Sequence, residues 1–169
     1  MVAPFLAVQQ SIVASDVSRD DLTSSFLAQE GIEYVINVRD ADYLYNHLNG
    51  ASRSWLYGLD GTGGSPDCFS SDSDKCTIDP TASVGNQVQS YTTAATLPLI
   101  YLSSLFIYNQ QSNGTPTLFN RKIQLACTAV GTCVPSTAKE VQVISVVSWT
   151  ERGTAYKTKV TEYLDNWLP

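Results

Sequence analysis

Imidazole is nearly absent from this 169-residue chain: His47 is the only histidine, so any Ser-His-Asp or Cys-His arrangement would have to use it. Its place near the end of a helical stretch favours a simpler role, a ring at the negative end of the helix dipole. No G-x-S-x-G, H-E-x-x-H, P-loop or dinucleotide-binding glycine pattern occurs, so the common catalytic motifs are missing too. Basic residues are scarce. Ten Lys and Arg stand against sixteen Asp and Glu, giving a net charge of −6 and a pI near 4.5. The cations are scattered and form no stripe for phosphates, which argues against nucleic acid as a partner. Long apolar runs are lacking as well. The opening MVAPFLAV has no basic region before it and is too short to cross a bilayer, so it does not read as a signal peptide. Met1 is the sole methionine and precedes an apolar stub that runs straight into a helix. The pattern is that of a boundary behind which a hydrophobic leader has been cut away.

What is present is ordinary globular composition, 43% hydrophobic and 15% charged, enough for one domain with a real core. Nothing in it calls for a cofactor. The four cysteines, Cys68, Cys76, Cys127 and Cys133, fall in two close pairs within loop-like sequence. Zinc usually takes pairs two to four residues apart, and His47 is distant, so disulfides are favoured over metal; local pairing is the simplest of the three connectivities. Disulfides imply an oxidising compartment outside the cytoplasm.

The most informative stretch is LAQEGIEYVINVRDADYLYN at 27–46. At 3.6 residues per turn, Ala28, Ile32, Val35, Ile36 and Tyr43 lie on one flank, and Leu27, Tyr34, Val38 and Tyr45 on roughly the reverse. A single core cannot use both. The first flank is expected to pack on a sheet, the second on another subunit. The helix should begin at Pro4, whose missing N–H costs nothing in a first turn, and end at Asn49-Gly50. Its middle, Ala14 to Ser25, is polar and predicts a segment projecting into solvent.

Residues 51–98 carry most of the Gly, Ser, Asp and Pro and predict loop, with Thr77 to Asp79 as one extended piece and with Trp55, Leu56 and Tyr57 pinning the loop to the core. From residue 97 the periodicity becomes two. Leu99 to Tyr108 is β-rich; Phe119, Ile123 and Leu125 alternate along 118–125; Val141, Val143, Val147 and Trp149 line one face of a long strand, with Ile144 and Val146 behind. A turn at Glu151-Arg152-Gly153 leads to Tyr156, Thr158, Val160 and Leu164. The expectation is an α+β fold: a helix at 1–50 packed on an antiparallel sheet of about four strands within a head domain at 51–169.

Carboxylates gather at Asp16, Asp20 and Asp21 on the helix and at Asp67, Asp72 and Asp74 in the loop, where a solvated face is the economical reading, although sequence cannot show whether any pair among them is spaced for glycoside hydrolysis. Asp60, Asp67, Asp72 and Asp74 sit among glycines and serines, as in an oxygen cage for calcium, but their spacing does not match the EF-hand loop. Glu30 and Glu33 read as helix-surface charges, and Arg39 is placed to pair with an acid on the sheet. Asn113-Gly114-Thr115 fits a glycosylation sequon, and a turn before Pro116 explains it equally.

The blocks LAQEGIEYVINVRDADYL at 27–44, TLFNRKIQL at 117–125 and EVQVISVVSWTERGTAYKTKVTEYLDNWLP at 140–169, in that order, resemble a type IV minor pilin of the V type, related to the pseudopilins of type II secretion. The resemblance implies a long helix packed on an antiparallel sheet. It also implies an apolar N-terminal helical half, processed by a prepilin peptidase and methylated, that anchors the subunit in the bacterial inner membrane and later packs in a filament core. Partners would be other pilin subunits and the inner-membrane assembly machinery, and the destination an extracellular pilus. The family's acidic docking residue near the mature N-terminus has no counterpart here, and Ile36 stands where the family pattern has a basic residue. Alternatives from other classes are an adhesin-like module whose loop at 58–79 holds a surface ligand, a type II secretion pseudopilin with the calcium option, and a secreted hydrolase dependent on His47 or paired carboxylates.

Overall fold

Helix α1 runs from Ala3 to Asn49, with Pro4 in its first turn, and stops where Gly50 adopts a positive φ of 59°. The Ala51 amide donates back to the Asn46 carbonyl at 3.1 Å, and the Asn46 side chain brackets the Arg53 backbone from both sides, donating to its carbonyl and accepting from its amide. This computed structural model describes residues 3–69, 76–83, 85–91, 98–105, 107–110, 114–128 and 134–167, with backbone alone for residues 3–7. Among the described residues no helix is long and apolar enough to cross a membrane.

The strands are β1 (Cys76–Ile78), β2 (Val88–Ser90), β3 (Ile100–Leu102), β4 (Ile107–Asn109), β5 (Thr115–Pro116), β6 (Asn120–Cys127), β7 (Glu140–Glu151) and β8 (Thr154–Asp165). They form a five-stranded antiparallel sheet in the order β2-β1-β6-β7-β8 and a three-stranded one in the order β4-β3-β5. The α+β class and the helix-on-sheet arrangement stand, while the single sheet of about four strands is corrected to two sheets. The apolar run Leu99 to Tyr108 caused the difference. It is interrupted by a turn at Ser103 to Leu105 and folds as the β3–β4 hairpin instead of joining the meander.

Every second residue is buried from Arg121 to Leu125 in β6 and from Val141 to Trp149 in β7. Helix α1 lies across this inner face and divides the core in two. Ile32 and Val35 join Trp55, Leu56, Leu59, Ile123, Leu125, Val141, Val143 and Leu164 on one side. Leu27 and Ala28 join Leu99, Phe119, Val147 and Trp149 on the other. Between the two clusters the inner face carries Arg121 and Ser145, and over them sits Gly31. A Cβ at Gly31 would meet Ile123 Cδ1 at 2.5 Å and Ser145 Oγ at 2.8 Å, so the helix approaches the sheet closely here and a larger residue would require both side-chain ends to move.

Asp79, fully buried, ties the two sheets together. Its Oδ1 accepts from the Thr81 amide and hydroxyl at 2.9 and 2.6 Å, and its Oδ2 accepts from the Gln110 amide just past β4 at 3.2 Å. Cys68 and Cys76 form a disulfide that links the loop after α1 to β1. Cys127 is also disulfide-bonded, while Cys133 lies outside the described residues.

One expectation about the helix is overturned. The polar stretch from Ala14 to Ser25 does not project free: Asp20 and Ser24 are buried, Ser24 Oγ lies 2.6 Å from Thr158 Oγ1, and Thr158 donates to Asp21 at 3.3 Å. The β7–β8 hairpin accounts for it, because twelve-residue strands carry its Arg152 tip up to Val13 and Ala14. Side-chain hydroxyls then give the helix polar partners where an apolar face is lacking.

Candidate functional site

The helix does present two sides, though not with the residues the pattern assigned. Ala28, Ile32 and Val35 are buried against the sheet, and Ile36 is half-buried against the same cluster. Tyr43 stacks on Trp167 beyond the end of β8, ring centroids 4.8 Å apart, with Arg39 over the other ring system at 5.7 Å. On the opposite flank Leu27 is a correction: it is only 4% exposed and belongs to the core. The three-stranded sheet lies over it, with Tyr108 of β4 packed on the same cluster. Tyr34 and Val38 are half-buried under the 85–88 turn, and Tyr34 donates its hydroxyl to Gln87 at 3.1 Å. Burial pushes that phenol up to about 12. Tyr45 remains exposed, its ring 3.7 Å from the Arg53 guanidinium.

The outward apolar surface is built by other residues. Val8, Ile12, Leu22, Phe26, Leu44 and Leu48 are all exposed, Phe26 by 62% and Leu48 by 71%. Their spacings of four, ten, four, eighteen and four are close to whole turns at 3.6 residues per turn, so they share one stripe on the side away from the sheet. Glu30, Glu33, Asn37 and Asp40 interrupt it in the middle. Five of the six lie outside 27–46, the stretch whose apolar spacing predicts two flanks, and Leu44 alone lies within it.

Polar chemistry is concentrated at two places. In the first, Arg121, on the same inward alternation as Phe119, Ile123 and Leu125, is wholly buried. It donates to the carbonyls of Leu27 and Ile78 at 3.0 and 2.7 Å and pairs with Glu30. Glu30 is therefore a structural partner of the sheet and not a plain surface charge. Arg39, by contrast, pairs with neighbouring Asp40 at 2.9 Å instead of an acid on the sheet. The second place is a groove of about 250 Å³ between α1 and the loop that follows it. There Asp42, 4% exposed, meets Arg53 at 2.5 Å. Burial raises the Asp42 carboxyl to about 6, against the pull of Arg53 and of the Tyr57 amide.

The remaining candidates are dispersed. His47 is exposed in the last turn of α1 beside Tyr43. Asp60 and Asp67 face each other across an isolated antiparallel bridge. Asp60 accepts from the Thr62 amide at 3.1 Å and from its hydroxyl, and Asp67 accepts from the Phe69 amide at 2.9 Å. Both carboxylates thus close local turns. Asp72, Asp74 and Asn113 lie outside the described residues. Among the described residues no group of three or more His, Cys, Asp and Glu gathers as metal ligands would. Trp55 and Leu56 are buried, Trp55 donating to the Pro135 carbonyl at 3.2 Å, whereas Tyr57 stands at the rim of the groove.

No family model, curated protein or solved structure matches this chain.

Proposed function

We propose that this chain is a structural subunit of a type IV pilus or a related filament, of the minor-pilin kind, assembling non-covalently through α1 and displaying its sheets outward. The observation that carries the reading is the outward stripe of Val8, Ile12, Leu22, Phe26, Leu44 and Leu48 along a helix already anchored on its other side. Covering a Leu or Phe side chain is worth about 1.5–3 kcal/mol, so a neighbouring helix laid along the stripe would gain several such increments. Covalent stapling by the Cys68–Cys76 disulfide suits an extracellular location. The partners on this reading are other helix-bearing subunits and an inner-membrane machinery that feeds them into the filament.

The test is photo-crosslinking in the producing cells, with a benzophenone side chain at Phe26. The expected result is adducts to other subunits in the sheared filament fraction, lost when Leu22 and Leu48 are both changed to Asp. Absence of the chain from that fraction, with crosslinks to no other protein, would overturn the assignment.

A further inference from the structure

The five-stranded sheet ends in backbone groups that the fold itself does not use. Strand β8 is outermost in the order β2-β1-β6-β7-β8, and among the described residues no strand lies on its far side. At twelve residues it offers a long row of N–H and C=O groups that a further strand can complete. The Asn166 amide donates to the Lys139 carbonyl at 2.7 Å, continuing the register in which Asp165 faces Glu140. Hydrogen-bonded and non-hydrogen-bonded pairs alternate along an antiparallel ladder. The even-numbered residues of β8 therefore turn their main chain to β7, and the odd-numbered ones from Lys157 to Asp165 turn theirs to the free edge.

Side chains sort by the same parity. Ser24 meets Thr158, while Val160 and Leu164 pack into the core, so the even positions face α1. The odd positions stand on the outer face, with Lys157, Lys159, Tyr163 and Asp165 exposed and Thr161 half-buried. Among the described residues no ion pair engages either lysine or Asp165.

Charge and register together select the occupant. A second β8 laid antiparallel about Thr161 sets Lys157 opposite the other copy's Asp165, Lys159 opposite its Tyr163, and Thr161 opposite Thr161. All five are edge-directed positions, so each N–H and C=O they present finds a partner. Opposite charges and threonine pairs directly across favour this register. Centring on Lys159 or on Glu162 would oppose like charges, and centring on Val160 would leave Asp165 opposite Ala155. Edge lysines discourage indiscriminate pairing. Here they admit a strand carrying an acid at the matching place, and β8 itself is such a strand.

We infer that two copies of this chain dimerise through β8, antiparallel about a two-fold axis at Thr161, so that their five-stranded sheets become one continuous sheet. The inference does not rest on the filament reading. It uses the β8 edge and no residue of the outward helix stripe.

The test is sedimentation velocity over a concentration series reaching about 1 mM, in which monomer should give way to dimer. Thr161→Pro removes an edge-directed N–H and leaves the β7 ladder intact, so at an unchanged melting temperature its dissociation constant should rise about tenfold or more. Lys157→Glu and Asp165→Lys, both at exposed sites, should each weaken the dimer about threefold to tenfold, and the double variant should restore it. On oxidation Thr161→Cys should form a disulfide-linked dimer and Lys159→Cys should not, because the two Lys159 positions lie about 13 Å apart along the paired strands. A monomer at every concentration, a dimer that folded Thr161→Pro leaves intact, a charge double weaker than its singles, or crosslinking of Lys159→Cys in preference to Thr161→Cys would each overturn the inference.

Discussion

The guanidinium of Arg121 donates to the main-chain carbonyl of Leu27 at 3.0 Å, so a strand side chain fastens the middle of α1 by a helix carbonyl. The same group reaches the Ile78 carbonyl and pairs with Glu30, joining helix, β1 and β6 at one point. Removing it leaves two buried carbonyls and a carboxylate without their donor. Arg121→Ala should therefore cost about 3–5 kcal/mol in chemical denaturation, whereas Glu30→Gln, which keeps the carbonyl bonds, should cost about 1 kcal/mol or less. Equal losses from the two substitutions would show that the charge pair, and not the carbonyl clamp, is the main contribution.

Gly31 offers a test with an unusual sign. Alanine is favoured over glycine in a helix interior by about 1 kcal/mol, yet the added Cβ would press on Ile123 Cδ1 and Ser145 Oγ. Gly31→Ala is expected to destabilise the fold by about 1–3 kcal/mol despite the better propensity. Ile123→Val removes the nearer obstacle, so the double variant should recover part of the loss. A stabilised single variant would mean that the helix can lift off the sheet without penalty.

Asp42 sets a pH dependence. Its carboxyl is raised from 3.8 to about 6, chiefly by burial, with Arg53 and the Tyr57 amide lowering it and Asp60 adding a small rise. A folded value above the unfolded one means that the native state takes up the proton more readily. The associated stability is present below about pH 4 and is lost as pH climbs through about 6. Melting temperatures measured across that interval should fall less steeply with rising pH in Asp42→Asn than in the parent. Parallel curves for the two proteins would contradict it.

The Cys68–Cys76 bridge closes a loop of sequence separation 8 between the region after α1 and β1. Chain-entropy arguments put such a loop at about 2–3 kcal/mol. Replacing both cysteines by alanine should lower the unfolding free energy by that amount, with a further loss because both side chains are buried. An unchanged midpoint in denaturant would indicate that the loop is already ordered in the unfolded chain.

Much of the architecture was legible because period-two burial in 118–125 and 141–149 and a helix running to Gly50 are strong local signals. Local signals also misled. Nothing in Leu99 to Tyr108 announces which sheet it will join, since that depends on Asp79 and Gln110 meeting across the fold. Arg121 was hidden in plain alternation: its inward position followed from Phe119 and Ile123, but a cation there reads as implausible until its carbonyl partners are known. Leu27 was misassigned because helical geometry gives the direction of a side chain and not what covers it. The groove at Asp42 and Arg53 joins positions eleven residues apart around a helix end, and turn geometry at Asn46 to Arg53 brings them together.

The β7–β8 hairpin turns at Arg152 and Gly153, with φ of 49° and 83°, the left-handed pair that matches the twist of the strands it joins. Its partners are near neighbours in the chain, so little loop entropy opposes their meeting, whereas β1 must wait for β6 across more than forty residues. Assembly should then zip outward from this tip and dock the helix afterwards. Until β7 and β8 have paired, α1 would find only β6 and its Arg121 to rest on, leaving most of its sheet-facing flank bare.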